Sequence, residues 1–343
     1  MSSGASLDAL RDELRAAGAR PRHEKLMLRA WVRGLPLDAF AQSEDAQLPL
    51  TLRRALPLLA HRFAALVGVL SEHRGADASL KLLLGLDDGK TIESVLLPGD
   101  GVCVSTQVGC AVGCTFCMTG RDGLMRQLTS GEIVAQVALA RSRQRVRRVV
   151  FMGMGEPAHN LDNVLDAIAL LGTEGDLAQK NLVFSTVGDR RVFERLPRET
   201  IKPALALSLH TTRPELREQL LPRAPRIEPA ELVALADAYS RETKYPTQYQ
   251  WTLLEGVNDG DDELDALATL LEGHYAVVNF IPYNAVDGAD FRRPSWQRAA
   301  EMTRYLHRRG VLAKLRRSAG QDVEAGCGQL RARHAGVARA LGA

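Results

Sequence analysis

The sequence predicts an α/β chain: a partial, parallel (β/α)6 barrel preceded by a small helical region and a connecting β-hairpin. Three observations carry that prediction. Residues 1–74 place apolar residues at helical spacing, the next stretch switches to a period of two, and from Gly101 onward short apolar runs alternate with helical stretches. Leu7–Ala16 and His23–Val32 each present an apolar face, with Gly18 and Pro21 separating them, and Leu50–Leu70 reads as a third, longer helix. Leu80, Leu82, Leu84 and Leu86 then alternate with smaller or polar residues, Asp88-Gly89 supplies a two-residue turn, and Thr91–Leu97 returns as a hairpin partner. Barrel strands are expected at Cys103–Val108, Arg148–Met152, Leu182–Thr186, Ala204–Leu209, Gln248–Leu254 and Ala276–Ile281, with a last one near Leu312–Leu315. Helices are expected between them at Ser130–Arg141, Asn160–Leu171, Glu228–Arg241, Asp261–Glu272 and Ser295–Arg309. Six such repeats in roughly 200 residues make a partial barrel, since eight usually take about 250. The expected divisions are a helical accessory region over 1–75, a hairpin connector over 76–100, the barrel core over 101–318, and a C-terminal loop with tail over 319–343.

Composition suits an enzyme with one large core. The chain has 343 residues, of which 45% are hydrophobic. No apolar run approaches the length of a membrane span. The first residues lack a basic start followed by an apolar stretch, so no secretory signal and a cytoplasmic location are expected. Five cysteines, an odd number, argue against a structural disulfide framework. A net charge of +3 implies no acidic partner by itself. The charge is unevenly spread, however: Arg141, Arg143, Arg145, Arg147 and Arg148 crowd one stretch, and Arg308, Arg309, Lys314, Arg316 and Arg317 another. Such clusters are ordinarily solvated faces.

Cys110, Cys114 and Cys117 lie in the run C-A-V-G-C-T-F-C. A short loop of this kind lets three sulfurs converge on one iron–sulfur cluster. A [4Fe–4S] cube normally takes four cysteines, so three leave one iron open to another ligand. Zinc usually wants four protein ligands in two paired knuckles, and no second knuckle exists here. The next motifs fall where strands are expected to end, the ligand-binding end of a parallel barrel. Gly153-Met154-Gly155-Glu156-Pro157 combines glycines that admit close backbone approach with a carboxylate able to accept from a cationic amine. Ser185, the pair Ser208-Leu209 with His210, and Asn284 end later strands with groups suited to a ribose, a carboxylate or an adenine edge. His210 alone would read as a buried structural histidine. Cys103 and Cys327 have no local metal-binding partner. They read either as a nucleophile with its resolving thiol or as small buried hydrophobes.

In order along the chain, C-V-S-T-Q-V-G-C-A-V-G-C-T-F-C-M-T-G, M-G-M-G-E-P, F-S-T-V-G, L-S-L-H, V-N-D-G, I-P-Y-N and A-G-C-G-Q-L closely resemble the RlmN/Cfr methyltransferases. These are radical S-adenosylmethionine (radical SAM) enzymes that methylate an adenine carbon in RNA. The resemblance implies a TIM-like radical SAM barrel with an RNA-binding N-terminal region. It implies that Cys110, Cys114 and Cys117 hold a [4Fe–4S] cluster, and that Gly155, Glu156, Ser185, Ser208, Leu209, His210 and Asn284 line the SAM pocket. Cys327 would carry the methyl group as S-methylcysteine on a loop expected to move, with Cys103 as its transient disulfide partner. Glu93, in I-E-S-V-L-L-P, would accept a proton. The expected partners are ribosomal or transfer RNA and an electron donor such as a flavodoxin or ferredoxin, with no membrane, and the expected state is a monomer. Methylation at C2 is the leading expectation, with C8 methylation or a non-RNA substrate as alternatives. The basic clusters are expected beside the barrel mouth. Two segments depart from the family pattern: G-A-R-P-R-H-E-K-L-M-L-R-A-W near the N-terminus, and Gln250, which stands in place of the family's I-E-Y segment.

Overall fold

The computed structural model describes residues 5–40 and 47–332. Three helices come first: α1 (Leu7–Ala16), α2 (Pro21–Val32) and α3 (Leu50–Ala64). Ser6 starts α1 by accepting the Ala9 N–H on its hydroxyl, and Leu7, Leu10 and Leu14 form its buried stripe. The third helix stops earlier than expected, and β1 (Gly68–Arg74) follows it. The apolar run before Gly68 suits a buried helix or a strand equally, and pairing with β2 (Leu80–Gly85) decides the matter. With β3 (Thr91–Leu97) this makes a three-stranded meander rather than a two-stranded hairpin.

The main sheet continues through β4 (Gly101–Cys103), which pairs antiparallel with β3. The expected first barrel strand is split after Cys103. Ser105 leaves the ladder because its N–H donates to Gln136 Oε1 (2.8 Å) and its hydroxyl to the Glu93 carbonyl (2.6 Å). Beyond it β5 (Gln107–Gly109) pairs instead with β6 (Leu124–Gln127) in a separate ribbon. The chain then alternates: α4 (Ser130–Arg141), β7 (Arg148–Phe151), α5 (Leu161–Thr173), β8 (Leu182–Thr186), α6 (Arg190–Arg195), β9 (Ala204–Ser208), α7 (Pro214–Leu220), α8 (Pro229–Thr243), β10 (Thr247–Leu253), α9 (Asp261–Leu270), β11 (Ala276–Pro282), α10 (Trp296–Arg308) and β12 (Leu312–Leu315). Strands β4 and β7 to β12 lie side by side in that order, all parallel. Cys103 from one side of this array and Arg316, just past β12, line a single cavity, so the sheet curls into a partial barrel.

Outward residues Val149, Phe151, Phe184, Leu207, Trp251 and Phe280 are almost completely buried under the helices. The N-terminal helices share that core, which runs unbroken from Leu7, Leu10 and Trp31 to Phe151 and Phe280. Polar ties reinforce the seam: Leu7 N–H to Ser130 Oγ (3.0 Å), Thr129 Oγ1 to the Ala5 carbonyl (3.0 Å), and Arg29 to Glu174 (2.9 Å). Among the described residues, no helix is long and apolar enough to cross a membrane. Arg141, Arg143, Arg145 and Arg147 precede β7, at the end of the sheet away from the cysteine loop, which corrects their expected placement. Arg148, the first residue of β7, instead lines the cavity that also holds Cys103. Arg316 and Arg317, which follow β12, do stand at the mouth.

Candidate active site

The three-cysteine loop springs from the β5–β6 ribbon, and its base is closed by the Cys110 N–H to Gly123 carbonyl bond (3.0 Å). Gly109 makes that closure possible: its φ is +77°, and a Cβ there would lie 2.0 Å from the Gly123 oxygen. Cys110, Cys114 and Cys117 all line one cleft of about 170 Å³. Burial pushes the Cys110 thiol up to about 12. Burial and then the neighbouring sulfurs raise Cys114, and burial raises Cys117. Among the described residues, no three Cys, His, Asp or Glu side chains are grouped to clasp one ion. A cube would take one thiol on each of three irons, and the three cysteines that line this cleft supply that number.

A buried cation stands behind the loop. Arg217 donates Nη1 to the carbonyls of Ser208 (2.9 Å) and Leu209 (2.6 Å) and Nη2 to that of Val187. Burial lowers its pKa to about 10, opposed by the attraction of Cys114 and Glu156. Its Nε has no partner among the described residues. Thiolates in the cleft would therefore meet a compensating charge. Nothing in the sequence marks this arginine, because P-E-L-R-E-Q-L reads as an ordinary surface helix.

Glu156 is held from both sides. Its N–H donates to Gln107 Oε1 (2.7 Å), and its carboxylate accepts from the N–H groups of Ala158 (3.1 Å) and Val187 (3.0 Å). The approach to Gln107 explains Gly155, where a Cβ would lie 2.6 Å from the Gln107 Cβ. Burial raises the Glu156 pKa to about 7, while hydrogen bonds from Thr186, Ala158 and Val187 pull it down. A cationic ligand in the cleft would favour the ionised form. Gln107, like Arg217, went unmarked in the sequence.

Ser185, Ser208 and His210 line the same cleft. His210 has φ +65° and accepts the Thr252 N–H on Nδ1 (3.0 Å), with Phe116 edge-on at 4.9 Å. Burial and the charge of Arg217 depress its pKa to about 3, so the imidazole is neutral and offers Nε2–H to the cleft. Leu209 is different: its side chain is fully buried in the core, and only its backbone, bonded to Gln250 and Arg217, takes part. Asn284 lines neither this cleft nor the cavity beside it. It donates to Ser318 Oγ (2.9 Å) and the Cys327 carbonyl (3.0 Å) and accepts from Arg293 (3.0 Å).

A cavity of about 570 Å³ adjoins the cleft, and Cys117, Met152, Gln250 and Cys327 border both. Cys103 and Cys327 line it together, as free thiols rather than a disulfide. Burial raises the Cys103 thiol, and Cys327 adds to the effect. Cys327 presents an exposed surface, yet its thiol is raised by desolvation within the cavity and eased by Arg316. The loop around it is docked on its neighbours. Gly328 accepts from Met118 N–H (2.7 Å), and Leu330 accepts from Thr119 Oγ1 (2.6 Å). Glu93 sits outside both cavities. Its carboxylate accepts the N–H groups of Arg331 (2.8 Å) and Ala332 (3.0 Å) and pairs with Lys81 (3.3 Å). The part of the expected C-terminal region beyond 332 lies outside the described residues.

Residues 104–268 match the radical SAM superfamily. A protein of Aromatoleum aromaticum named "probable RNA methyltransferase" is 68% identical over 327 residues, covering 95% of this chain and 92% of its own length. One of the same name from Methylibium petroleiphilum is 66% identical over 333 residues, covering 97% and 94%. The crystal structure of a radical SAM methyltransferase from Sphaerobacter thermophilus superposes with a TM-score of 0.82 at 37% identity, covering 96% of this chain and 98% of the other. The chain belongs to the radical SAM methyltransferase family, as its cysteine loop and ordered motifs imply.

Proposed function

We propose that this enzyme methylates a ring carbon of adenosine, C2 in the leading reading, in ribosomal or transfer RNA. The observation that carries the proposal is the shared cavity of Cys103 and Cys327, which borders the cleft of the three-cysteine loop. The relatives' name, RNA methyltransferase, supports the substrate class. In this reading Cys110, Cys114 and Cys117 hold a [4Fe–4S] cluster. Glu156 and His210, with Gly155, Ser185, Ser208 and the backbone of Leu209, hold SAM. When bound, cluster and SAM supply an electron, a methyl group and a hydrogen-abstracting carbon radical.

The chain's own residues do the rest. Cys327 sulfur takes up the methyl group, losing its proton. Once that carbon, as a radical, has bonded to the base and the adduct has given up one electron and the ring hydrogen as a proton, Cys103 sulfur attacks Cys327 sulfur. The S–S bond forms as the S–C bond breaks. The released carbon keeps the bonding pair and takes up a proton, made good by the one Cys103 loses, to become the methyl group. A dithiol reductant must restore both thiols. Glu93 is the proposed proton acceptor. Because its carboxylate now holds Arg331 and Ala332, that role requires the C-terminal segment to release. Asn284 holds the Cys327 carbonyl in this arrangement and turns to SAM only when the loop shifts. Arg316 and Arg317 at the mouth, with the 1–75 accessory region, contact phosphates, and the target adenosine leaves its stack to enter. A cytoplasmic monomer reduced by a flavodoxin or ferredoxin completes the reading.

The test is Cys103→Ala. It should trap a covalent protein–RNA species through Cys327, seen as a retarded band that ribonuclease trims, with mass spectrometry of digested nucleosides locating the methyl group in wild-type product. Normal turnover by that variant would sink the shared-thiol mechanism.

A further inference from the structure

The larger cavity carries a feature that methyl transfer does not use. Gln250 on β10 and Asn279 on β11 are register partners across parallel strands, so their carboxamides stand side by side on the inner face. Both residues are more than nine-tenths buried, at 6% and 5% exposure. Gln250 donates its Nε2 to the carbonyl of Gln248 (3.3 Å), which leaves its Oε1 free to accept. The carboxamide of Asn279 makes no hydrogen bond to any described residue, yet it lines the cavity rather than the packed core. A buried amide without a partner costs about 1–3 kcal/mol. The unpartnered carboxamide of Asn279 and the open acceptor of Gln250, side by side and facing a hollow, are explained by a polar occupant.

The walls say what shape that occupant has. Met152, Val183 and Ile281 give the cavity apolar surfaces, against which a flat ring can lie. The open acceptor of Gln250 calls for an N–H donor, and Asn279 beside it can donate to a ring nitrogen. A donor next to a ring acceptor is the pattern of the amino edge of adenine, which asparagine and glutamine read in a paired fashion. Cys103 and Cys327 border the same space, so a base bound there lies within the reacting chamber.

We infer that Gln250 and Asn279 form a base-reading subsite that recognises the 6-amino edge of the target adenine. This rests on the RNA-methyltransferase reading above. The test compares short unpaired RNAs carrying either adenosine or purine riboside, which lacks the 6-amino group, at the target position. Reconstituted wild-type holoenzyme should prefer adenosine by at least about tenfold in kcat/KM, since buried polar groups left unpaired penalise the analogue. Asn279→Ala and Gln250→Met should each bring that ratio toward one. A purely structural role would lower both substrates together and leave the ratio unchanged, which would overturn the inference, as would equal use of the two RNAs by wild type. Fluorescence anisotropy of the same RNAs reads the preference without turnover. Wild-type protein that discriminates in binding but methylates neither RNA would defeat the functional reading and leave the subsite standing; equal binding of both RNAs would defeat the subsite.

Discussion

Val149, Phe151, Phe184, Leu207, Trp251 and Phe280 point outward from the barrel strands into a packed layer beneath the helices. Their immediate neighbours Val150, Ser185, Ser208, Gln250 and Asn279 point inward and border open space. The two faces belong to the same strands and differ by one step of the pleat. The outer face fills volume with large apolar groups, and it is where burial stabilises the fold. The inner face sets small and polar groups among the apolar Val150, Met152, Val183 and Ile281 and, among the described residues, encloses an open cavity of about 570 Å³ where a (β/α)8 barrel is filled. Stability and chemistry have been separated by the period of a β-strand.

Three substitutions test how complete that separation is. Trp251→Ala should have the largest effect. Trp251 is 1% exposed, meets Phe280 edge-on at 6.4 Å and donates Nε1–H to the Asn258 carbonyl (3.3 Å). Its truncation should cost about 3–5 kcal/mol in urea unfolding, the usual range for a buried aromatic. A loss under about 1 kcal/mol would mean that the outer layer is not the stabilising one.

The second prediction concerns the inner side, where a buried neutral histidine makes stability depend on pH. His210 has a folded pKa near 3, against about 6.5 in the unfolded chain. Between those values the unfolded chain binds a proton that the folded one does not, so stability falls as pH drops below 6.5. The slope from this group is at most about 1.4 kcal/mol per pH unit. His210→Asn keeps an acceptor for the Thr252 N–H and tolerates the positive φ, but it does not titrate. Urea midpoints at pH 7 and pH 5 should therefore converge in the variant relative to wild type. Equal drops in both proteins would show that the acid limb has another source.

The smallest effect belongs to the solvent rim, outside both layers. Arg143 meets Glu72 at 2.6 Å, with the glutamate side chain 43% exposed. Arg143→Ala should change stability by less than about 1 kcal/mol, and by less still at high salt. A larger loss would promote the rim to a structural role that the two-face comparison denies it.

Elements with a strong period were legible in the sequence. The α1, α4, β8 and β12 bounds coincide with those read from residue patterns, because each lies between clear caps or turn residues. β1 was not legible: its residues follow α3 in one apolar run, and only the partner strand distinguishes extended from helical chain. The break at Ser105 was equally hidden, since it depends on the Gln136 side chain from a distant helix. In the candidate site, the cysteine loop and Glu156 lay in local motifs, whereas His210 drew notice only through its place at the end of an apolar strand. Gln107 and Arg217 did not, because a side chain that supports a site from another element carries no local signature.

The sequence by itself determined the alternation of strand and helix, the loop that brings three thiols together, and the order of the motifs, all of which are properties of neighbouring residues. Tertiary structure alone decided that Cys103 and Cys327 face one cavity, that Arg217 places a buried cation behind the cysteine loop, and that Glu93 clamps the backbone of Arg331 and Ala332 instead of opening into the chamber. Each of those facts depends on the curl of the parallel sheet and the return of the C-terminal segment. Both bring together residues that lie far apart along the chain, and no local pattern can encode such a meeting.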